Sequence, residues 1–258
     1  MNTLSVHQVA VPDGYLPNPS AHLSNPRDGR HFEWLSNVCR KYSPNTLLDI
    51  GPWDGWLALG LLEHRAIKRA YGVELVQGLA AASMRYARAH NLDWWCWSGY
   101  WDQYPTQDGH FADIVLAAEV LEHMPLADVP EAVHRMEQAS RKMIMISLPD
   151  QAHELNPQHL WTPTWDRIMS MWRTKRNFCC HRFEYPGTQI PASFLIKWEI
   201  AWRPRPPRSR SSSPAGGGPR FYVTPFRPYA TGLPPKATRS TSGIMVVKQI
   251  PEPIYVRL

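Results

Sequence analysis

The chain has 258 residues, 43% of them apolar, enough for one large or two small domains around a substantial core. Its net charge of +6 is unevenly placed. Residues 1–202 carry 18 Lys and Arg against 21 Asp and Glu, a net −3, whereas residues 203–258 carry 10 against one, a net +9. No run approaches the length of a membrane span, the N-terminus lacks a basic-then-apolar leader, and Cys39, Cys96, Cys179 and Cys180 show no CxxC or zinc-like spacing. These features argue against a membrane span, a cysteine-based zinc site and a disulfide scaffold. The expectation is a soluble, cytoplasmic protein with unpaired thiols.

Residues 1–28 are rich in Pro, Asn and Ser and read as an irregular cap. From Gly29 to Tyr42 the apolar residues Phe32, Trp34, Leu35, Val38 and Cys39 fall at helical spacing, and Ser43-Pro44-Asn45 ends that helix. Thr46 to Ile50 is a buried strand, Gly51 to Gly55 a tight loop, and an apolar helix runs from about Trp56 to Arg69. A short strand then ends at Glu74, and an alanine-rich helix covers Leu79 to His90. Further strands are expected within Trp94–Ser98, Ala112–Ala118 and Lys142–Leu148. Asp128-Val-Pro-Glu131 reads as a helix start with an aspartate cap, and Thr162-Pro163 opens another helix to about Lys175. Strands alternating with helices predict a doubly wound, mostly parallel α/β sheet over residues 29–202. Two segments compete for its last strand, Ser193–Ile200 and Ser242–Ile250, and the sequence leaves that choice open. Between them, residues 203–241 form a Pro-, Arg- and Ser-rich linker or insertion with too little apolar surface to offset the entropy of ordering it.

The loop Gly51-Pro52-Trp53-Asp54-Gly55 carries the functional signal. Glycines bring backbone close to a ligand, and the helix that follows aims its unpaired N–H groups there. Glu74, closing the next strand about 20 residues on, is placed to accept from ribose hydroxyls, with Leu75 beside it. A pyrophosphate-binding loop needs glycine where Trp53 stands, so a smaller nucleoside cofactor is indicated. The strand, Asp49, Gly51 and Gly55 together resemble motif I of the class I S-adenosylmethionine-dependent methyltransferases. That resemblance implies a Rossmann-like seven-stranded fold and S-adenosylmethionine as cofactor; Pro52-Trp53 in the loop and the basic C-terminal extension depart from the family pattern.

Two further segments extend the resemblance. In the family the loop after the third strand encloses adenine, which assigns Trp101 and Asp102 to that role, while Trp94, Trp95 and Trp97 read as packing. Glu119-Val-Leu-Glu-His123 resembles a segment of methyltransferases related to the ubiquinone and menaquinone biosynthetic enzymes, where Glu119 would lie beside the methionine portion. His123 is the candidate general base; alternatively, Glu122 and His123 cap and pack the turn before Pro125. Small-RNA 3′-terminal ribose methyltransferases carry Glu-x-x-Glu-His with a downstream histidine and bind a divalent metal, which here would draw on Glu119, Glu122, His123, and His153 or His159. The preferred assignment contains no metal.

The resulting expectation is methyl transfer to an O, N or C nucleophile of a small-molecule substrate. The alternatives are the metal-dependent RNA enzyme and a catalytically degenerate, cofactor-binding regulatory subunit. No membrane partner is expected, and the basic tail leaves a nucleic-acid contact open.

Overall fold

The computed structural model describes residues 10–100, 112–150, 158–185 and 192–201, all within one compact unit that runs to Arg203. The elements are α1 (Pro19–Leu23), α2 (Pro26–Tyr42), β1 (Thr46–Ile50), α3 (Trp56–Glu63), β2 (Arg69–Glu74), α4 (Gln77–Ala89), β3 (Trp94–Ser98), β4 (Ala112–Ala118), α5 (Val129–Ala139), β5 (Ser140–Pro149), α6 (Trp165–Trp172), β6 (Cys179–Phe183) and β7 (Ser193–Glu199). A single 3-10 turn, Leu121–His123, follows β4. Among the described residues no helix is long and apolar enough to cross a membrane.

Seven strands form one sheet in the order β3-β2-β1-β4-β5-β7-β6. The pairs β1–β2, β1–β4, β2–β3 and β4–β5 are parallel, whereas β7 runs antiparallel to both β5 and β6. The expected seven-stranded Rossmann-like sheet is therefore present, and Ser193–Glu199 is the strand beside β5. The rival segment at 242–250 and the linker at 203–241 lie outside the described residues. From β1 the chain builds outward to β2 and β3, then returns to lay β4 on the other side of β1. The carboxyl ends of β1 and β4 thus flank the switch point where open α/β sheets bind ligands.

Burial on both faces explains the uninterrupted apolar strands. One face (Leu48, Val115, Ile144, Ile146) packs against α5 and α6 through Val133, Met136, Ile168 and Trp172. The alternating residues Leu47, Ile114, Leu116 and Met145 pack the other face against α2, α3 and α4 through Leu35, Trp56, Leu59 and Ala80. β3 is an edge strand, and Trp95 and Trp97 stand 52% and 50% exposed on it, so they are not core packing. Trp94 is buried as expected.

Several boundaries differ from expectation for local reasons. The N-terminal cap is helical from Pro19, and α2 starts at Pro26 rather than Gly29. In each case an asparagine side chain accepts from the first turn and proline occupies its start: Asn18 with Pro19, and Asn25 with Pro26. Helix α3 stops at Glu63 instead of reaching Arg69, because Arg65 turns left-handed (φ 55°) and the Ala66 N–H closes on the Leu61 carbonyl at 2.9 Å. Asp128 does occupy the cap position of α5, but its side chain makes no capping bond there.

Gly72 marks where the sheet tolerates no side chain. A Cβ there would lie 2.5 Å from the Trp94 ring and 3.0 Å from Cys96 Sγ. The indole cannot retreat easily, since it is buried and its Nε1 donates to Ser83 Oγ at 3.0 Å. Gly72→Ala is expected to destabilise the protein by about 1–3 kcal/mol through overpacking; urea unfolding of the variant against the wild type measures this.

Candidate active site

The glycine loop is held by backbone and buried carboxylates. Gly51 N–H donates to the Val73 carbonyl of β2 at 2.9 Å, and Gly55 N–H to Pro52 at 2.8 Å. Gly51 and Gly55 have φ of 63° and 80°, and Trp53 between them has φ 58°, a conformation that is rare for a bulky side chain. What holds Trp53 there is Glu74, whose Oε2 accepts from the Trp53 N–H at 2.8 Å while Oε1 accepts from Val76 N–H at 2.8 Å. Glu74 is 1% exposed. Burial pushes its carboxyl up, the backbone donors of Val76, Trp53 and Leu75 pull it back, and the result is a pKa of about 7. Three backbone donors leave part of the carboxylate's acceptor capacity unused, which is chemically compatible with the ribose-accepting role expected of Glu74. Leu75 is half-buried in the bend between β2 and α4.

Asp49 is buried near the end of β1, with Gly72 and Leu116 as its strand neighbours. Across the switch point, Glu119 follows β4 directly and is also left-handed, φ 57°, with its N–H on the Ser147 carbonyl at 2.9 Å. Backbone strain of this kind concentrates at functional sites. The expected set Asp49, Gly51, Trp53, Gly55, Glu74 and Glu119 is thus gathered at the carboxyl ends of β1, β2 and β4. Trp101, Asp102 and His153 lie outside the described residues.

His123 and its neighbours form a second cluster. Its Nδ1 is 3.3 Å from the Gln158 carbonyl, and its ring meets that of His159 edge-on at 4.8 Å between centroids. The 3-10 turn is stitched to the 158–161 segment by Leu160 N–H to the Glu122 carbonyl at 2.7 Å and by Trp161 Nε1–H to the Leu121 carbonyl at 2.9 Å. Glu122, His123 and His159, all buried, each offer a ligand atom, and these atoms lie within 4.8 Å of one another. Glu119 turns away from that group toward α2, where it pairs with Arg27 and has His31 Nε2 at 4.0 Å.

The sequence reading missed the contribution of the N-terminal helices. Asp54, fully buried in the glycine loop, accepts from Tyr15 Oη–H at 2.6 Å and from Trp56 N–H at 3.1 Å. His22 lies 3.8 Å from Asp54 and 2.8 Å from Asp28, and stacks on Trp56 at 4.8 Å. Burial lowers this imidazole, but Asp28 and Asp54 outweigh it and raise the pKa to about 9. Only the Asp54 turn had a local signal, an aspartate two residues before a helix; the partners on 15–31 are too distant in sequence to be read from pattern.

The structural comparisons agree on the fold. The YcgJ protein of Bacillus subtilis matches with a TM-score of 0.51 at 12% identity, over 68% of this chain and all of that one. Magnesium protoporphyrin IX methyltransferase of Synechocystis PCC 6803, solved with bound S-adenosylmethionine, matches with a TM-score of 0.54 at 13% identity, over 74% of this chain and 87% of that one. The methyltransferase domain of a bacterial Hen1 matches with a TM-score of 0.52 at 14% identity, over 68% and 100%. Residues 48–143 match a family model described as a methyltransferase domain. No curated protein matches the chain.

The pKa of Glu74 has a direct consequence for ligand binding. A carboxylate accepts from two ribose hydroxyls and a protonated acid does not, so affinity for S-adenosylhomocysteine is expected to fall as pH drops through about 7. Calorimetric titrations at pH 6 and 8 measure this, and Glu74→Gln should bind weakly with no such pH dependence. The same raised pKa makes this group a stabilising one at acid pH, a contribution lost as pH rises from about 4 through about 7.

Proposed function

We propose that this protein is a class I S-adenosylmethionine-dependent methyltransferase that delivers its methyl group to a hydroxyl or amine of a small molecule, with His123 taking the proton. The observation that carries this reading is the gathering of the glycine loop, Glu74 and Glu119 at the sheet's switch point, with His123 four residues beyond Glu119. When bound, S-adenosylmethionine supplies a methyl group already activated on a sulfonium. The protein's part is then mostly positioning and exclusion of water. Trp53 and Gly51 present backbone to the nucleoside, and Glu74 is suited to fix the ribose. A proton on His123 Nδ1, directed at the Gln158 carbonyl 3.3 Å away, makes Nε2 the basic nitrogen. That nitrogen accepts the nucleophile's proton as the new bond to carbon forms. A small acceptor is favoured because residues 1–202 carry a net −3, which gives a polyanion no electrostatic attraction.

The experiment is methyl transfer from radiolabelled donor to fractionated metabolites, RNA and protein of a cell extract. With the acceptor in hand, His123→Gln is expected to lower kcat by about 10²-fold or more while leaving S-adenosylhomocysteine affinity within twofold, roughly the scatter of such titrations. An unchanged kcat would remove His123 from the chemistry.

A second reading is favoured by the convergence of Glu122, His123 and His159: a divalent-metal-dependent methyltransferase acting on the 3′-terminal ribose of RNA. One carboxylate and two imidazoles suit several divalent ions, which would orient and acidify a ribose hydroxyl. Ligand atoms about 2.1 Å from a metal are at most about 4.2 Å apart, so the three atoms, which lie within 4.8 Å of one another, would draw together on binding an ion. This reading expects one equivalent of Co²⁺ to bind with a visible absorption band that His159→Ala abolishes, and activity lost in chelator and restored by metal. Chelator-insensitive activity would leave the first reading standing alone.

A further inference from the structure

We infer that β3 is a self-association edge: two copies of the chain pair their β3 strands antiparallel about Cys96 and join their sheets into one. β3 ends the sheet, with β2 on one side and no strand on the other among the described residues. Trp95 and Trp97, on the face they share with Tyr71 and Val73 of β2, are half-exposed, as is Tyr100 just beyond the strand. Edge strands are usually guarded against pairing by charge, proline or a bulge. The opposite edge, β6, follows that rule, with His181 and Arg182 among its residues and Arg182 bonded to Asp150 at 2.7 Å. β3 reads Trp94-Trp-Cys-Trp-Ser98, with no charge and no proline, and its register with β2 runs without a bulge.

Main-chain bonding selects the partner and its register. The Asp93 carbonyl accepts from Ala70 N–H at 2.9 Å, and Gly99 N–H donates to the Glu74 carbonyl at 3.0 Å. Every second residue of a parallel strand turns its N–H and C=O toward the same neighbour, so Trp95 and Trp97 face β2 as Asp93 and Gly99 do. Trp94, Cys96 and Ser98 turn theirs outward. An antiparallel strand laid there alternates hydrogen-bonded pairs with non-hydrogen-bonded ones, whose side chains lie closer. A two-fold axis at Cys96 makes the two copies of that residue a hydrogen-bonded pair. It also sets Trp95 of one copy against Trp97 of the other in the closer pairs, where aromatic side chains stabilise a ladder. The strand is symmetric about Cys96 at those positions, so a single two-fold satisfies both contacts and closes the assembly as a dimer. That self-complementarity is what makes the occupant a second copy. Ser98 N–H donates to the Trp94 carbonyl of the second copy, while Trp94 N–H stays on the Leu92 carbonyl at 3.0 Å. No like charges meet, because Asp93, paired with Arg69 at 2.7 Å, comes opposite Gly99 of the second copy.

The size of the contact sets its strength. Each half-exposed ring offers on the order of 100 Å². The rings of Trp95, Trp97 and Tyr100 and the strand backbone of both copies then bury on the order of 1,000 Å², the lower limit for a specific interface. A dissociation constant on the order of 10–100 μM follows. Sedimentation equilibrium of the full chain from about 5 to about 500 μM brackets that value. The wild type should pass from monomer to dimer and no further. Trp95→Lys/Trp97→Lys sets like charges against each other across the axis and should weaken association about tenfold or more. Trp95→Lys/Trp97→Glu sets each lysine against a glutamate of the other copy only in the register about Cys96. It should associate about fivefold or more tightly than the double-lysine variant, with the difference shrinking at high salt. Ser98→Pro removes an outward N–H without touching the bonds to β2 and should weaken the dimer as well. Circular dichroism checks the fold of each variant; if a double variant is unfolded, Ser98→Pro decides, and unchanged association there would overturn the inference. So would a wild type that stays monomeric throughout or grows past the dimer, or a dimer indifferent to the double lysine. Equal association of the two double variants would overturn the antiparallel register.

Discussion

The bond from the Trp53 N–H to the buried Glu74 carboxylate is the constraint on which the rest of the site depends. It ties the loop after β1 to the end of β2 and holds Trp53 in a left-handed conformation that the residue alone would avoid. That conformation sets the turn at Gly55, from which α3 begins with Trp56 at its first position. Trp56, 1% exposed, is the platform on which His22 stacks, and Asp54 beside it receives Tyr15 and His22. A single carboxylate thus propagates order from the sheet edge through the loop to the N-terminal helices. Its raised pKa records the cost of that burial, which the backbone donors offset only in part.

The fold was legible because its signals are local. Apolar runs such as Ala112–Ala118, bounded by polar residues, read as doubly covered strands, and glycine and proline punctuated them where the chain turns. The gathered carboxylates of Glu74 and Glu119 were legible for a related reason, since in a parallel sheet the residue closing each strand is carried to the same edge. The sequence was silent where structure depends on encounters between distant segments. Nothing local predicts that Arg27 reaches Glu119, or that Tyr15 and His22 close on Asp54. The reversal of α3 at Arg65 was missed because a left-handed arginine has no compositional mark of the kind glycine supplies. The Asn-Pro pairs at 18–19 and 25–26 did carry a mark, and the polar, proline-rich composition around them obscured it.

The two halves of the site use different materials. On the β1–β2 side the site is built of main-chain atoms and a carboxylate locked by main-chain donors, which fixes geometry tightly. On the β4 side it is built of side chains from separate elements, meeting across a sequence gap that only folding closes. The N-terminal segment reaches both halves, through Tyr15 and His22 on Asp54 in the first and through Arg27 on Glu119 in the second. The Glu122, His123 and His159 group belongs to a third neighbourhood, built by the 158–161 segment closing on the 3-10 turn.

The antiparallel strand β7 has a consequence for how the molecule comes into being. It is the last described strand in sequence, yet it lies inside the sheet, between β5 and β6. Until residues 193–199 have left the ribosome, β5 has no partner on that side, and its run Met143-Ile144-Met145-Ile146 presents unpaired backbone and apolar side chains together. A chain interrupted anywhere between Pro149 and Ser193 therefore carries the glycine loop, Glu74 and Glu119 together with an open sheet edge. Synthesis of the protein thus leaves the apolar edge of β5 to be covered late, when β7 completes the sheet.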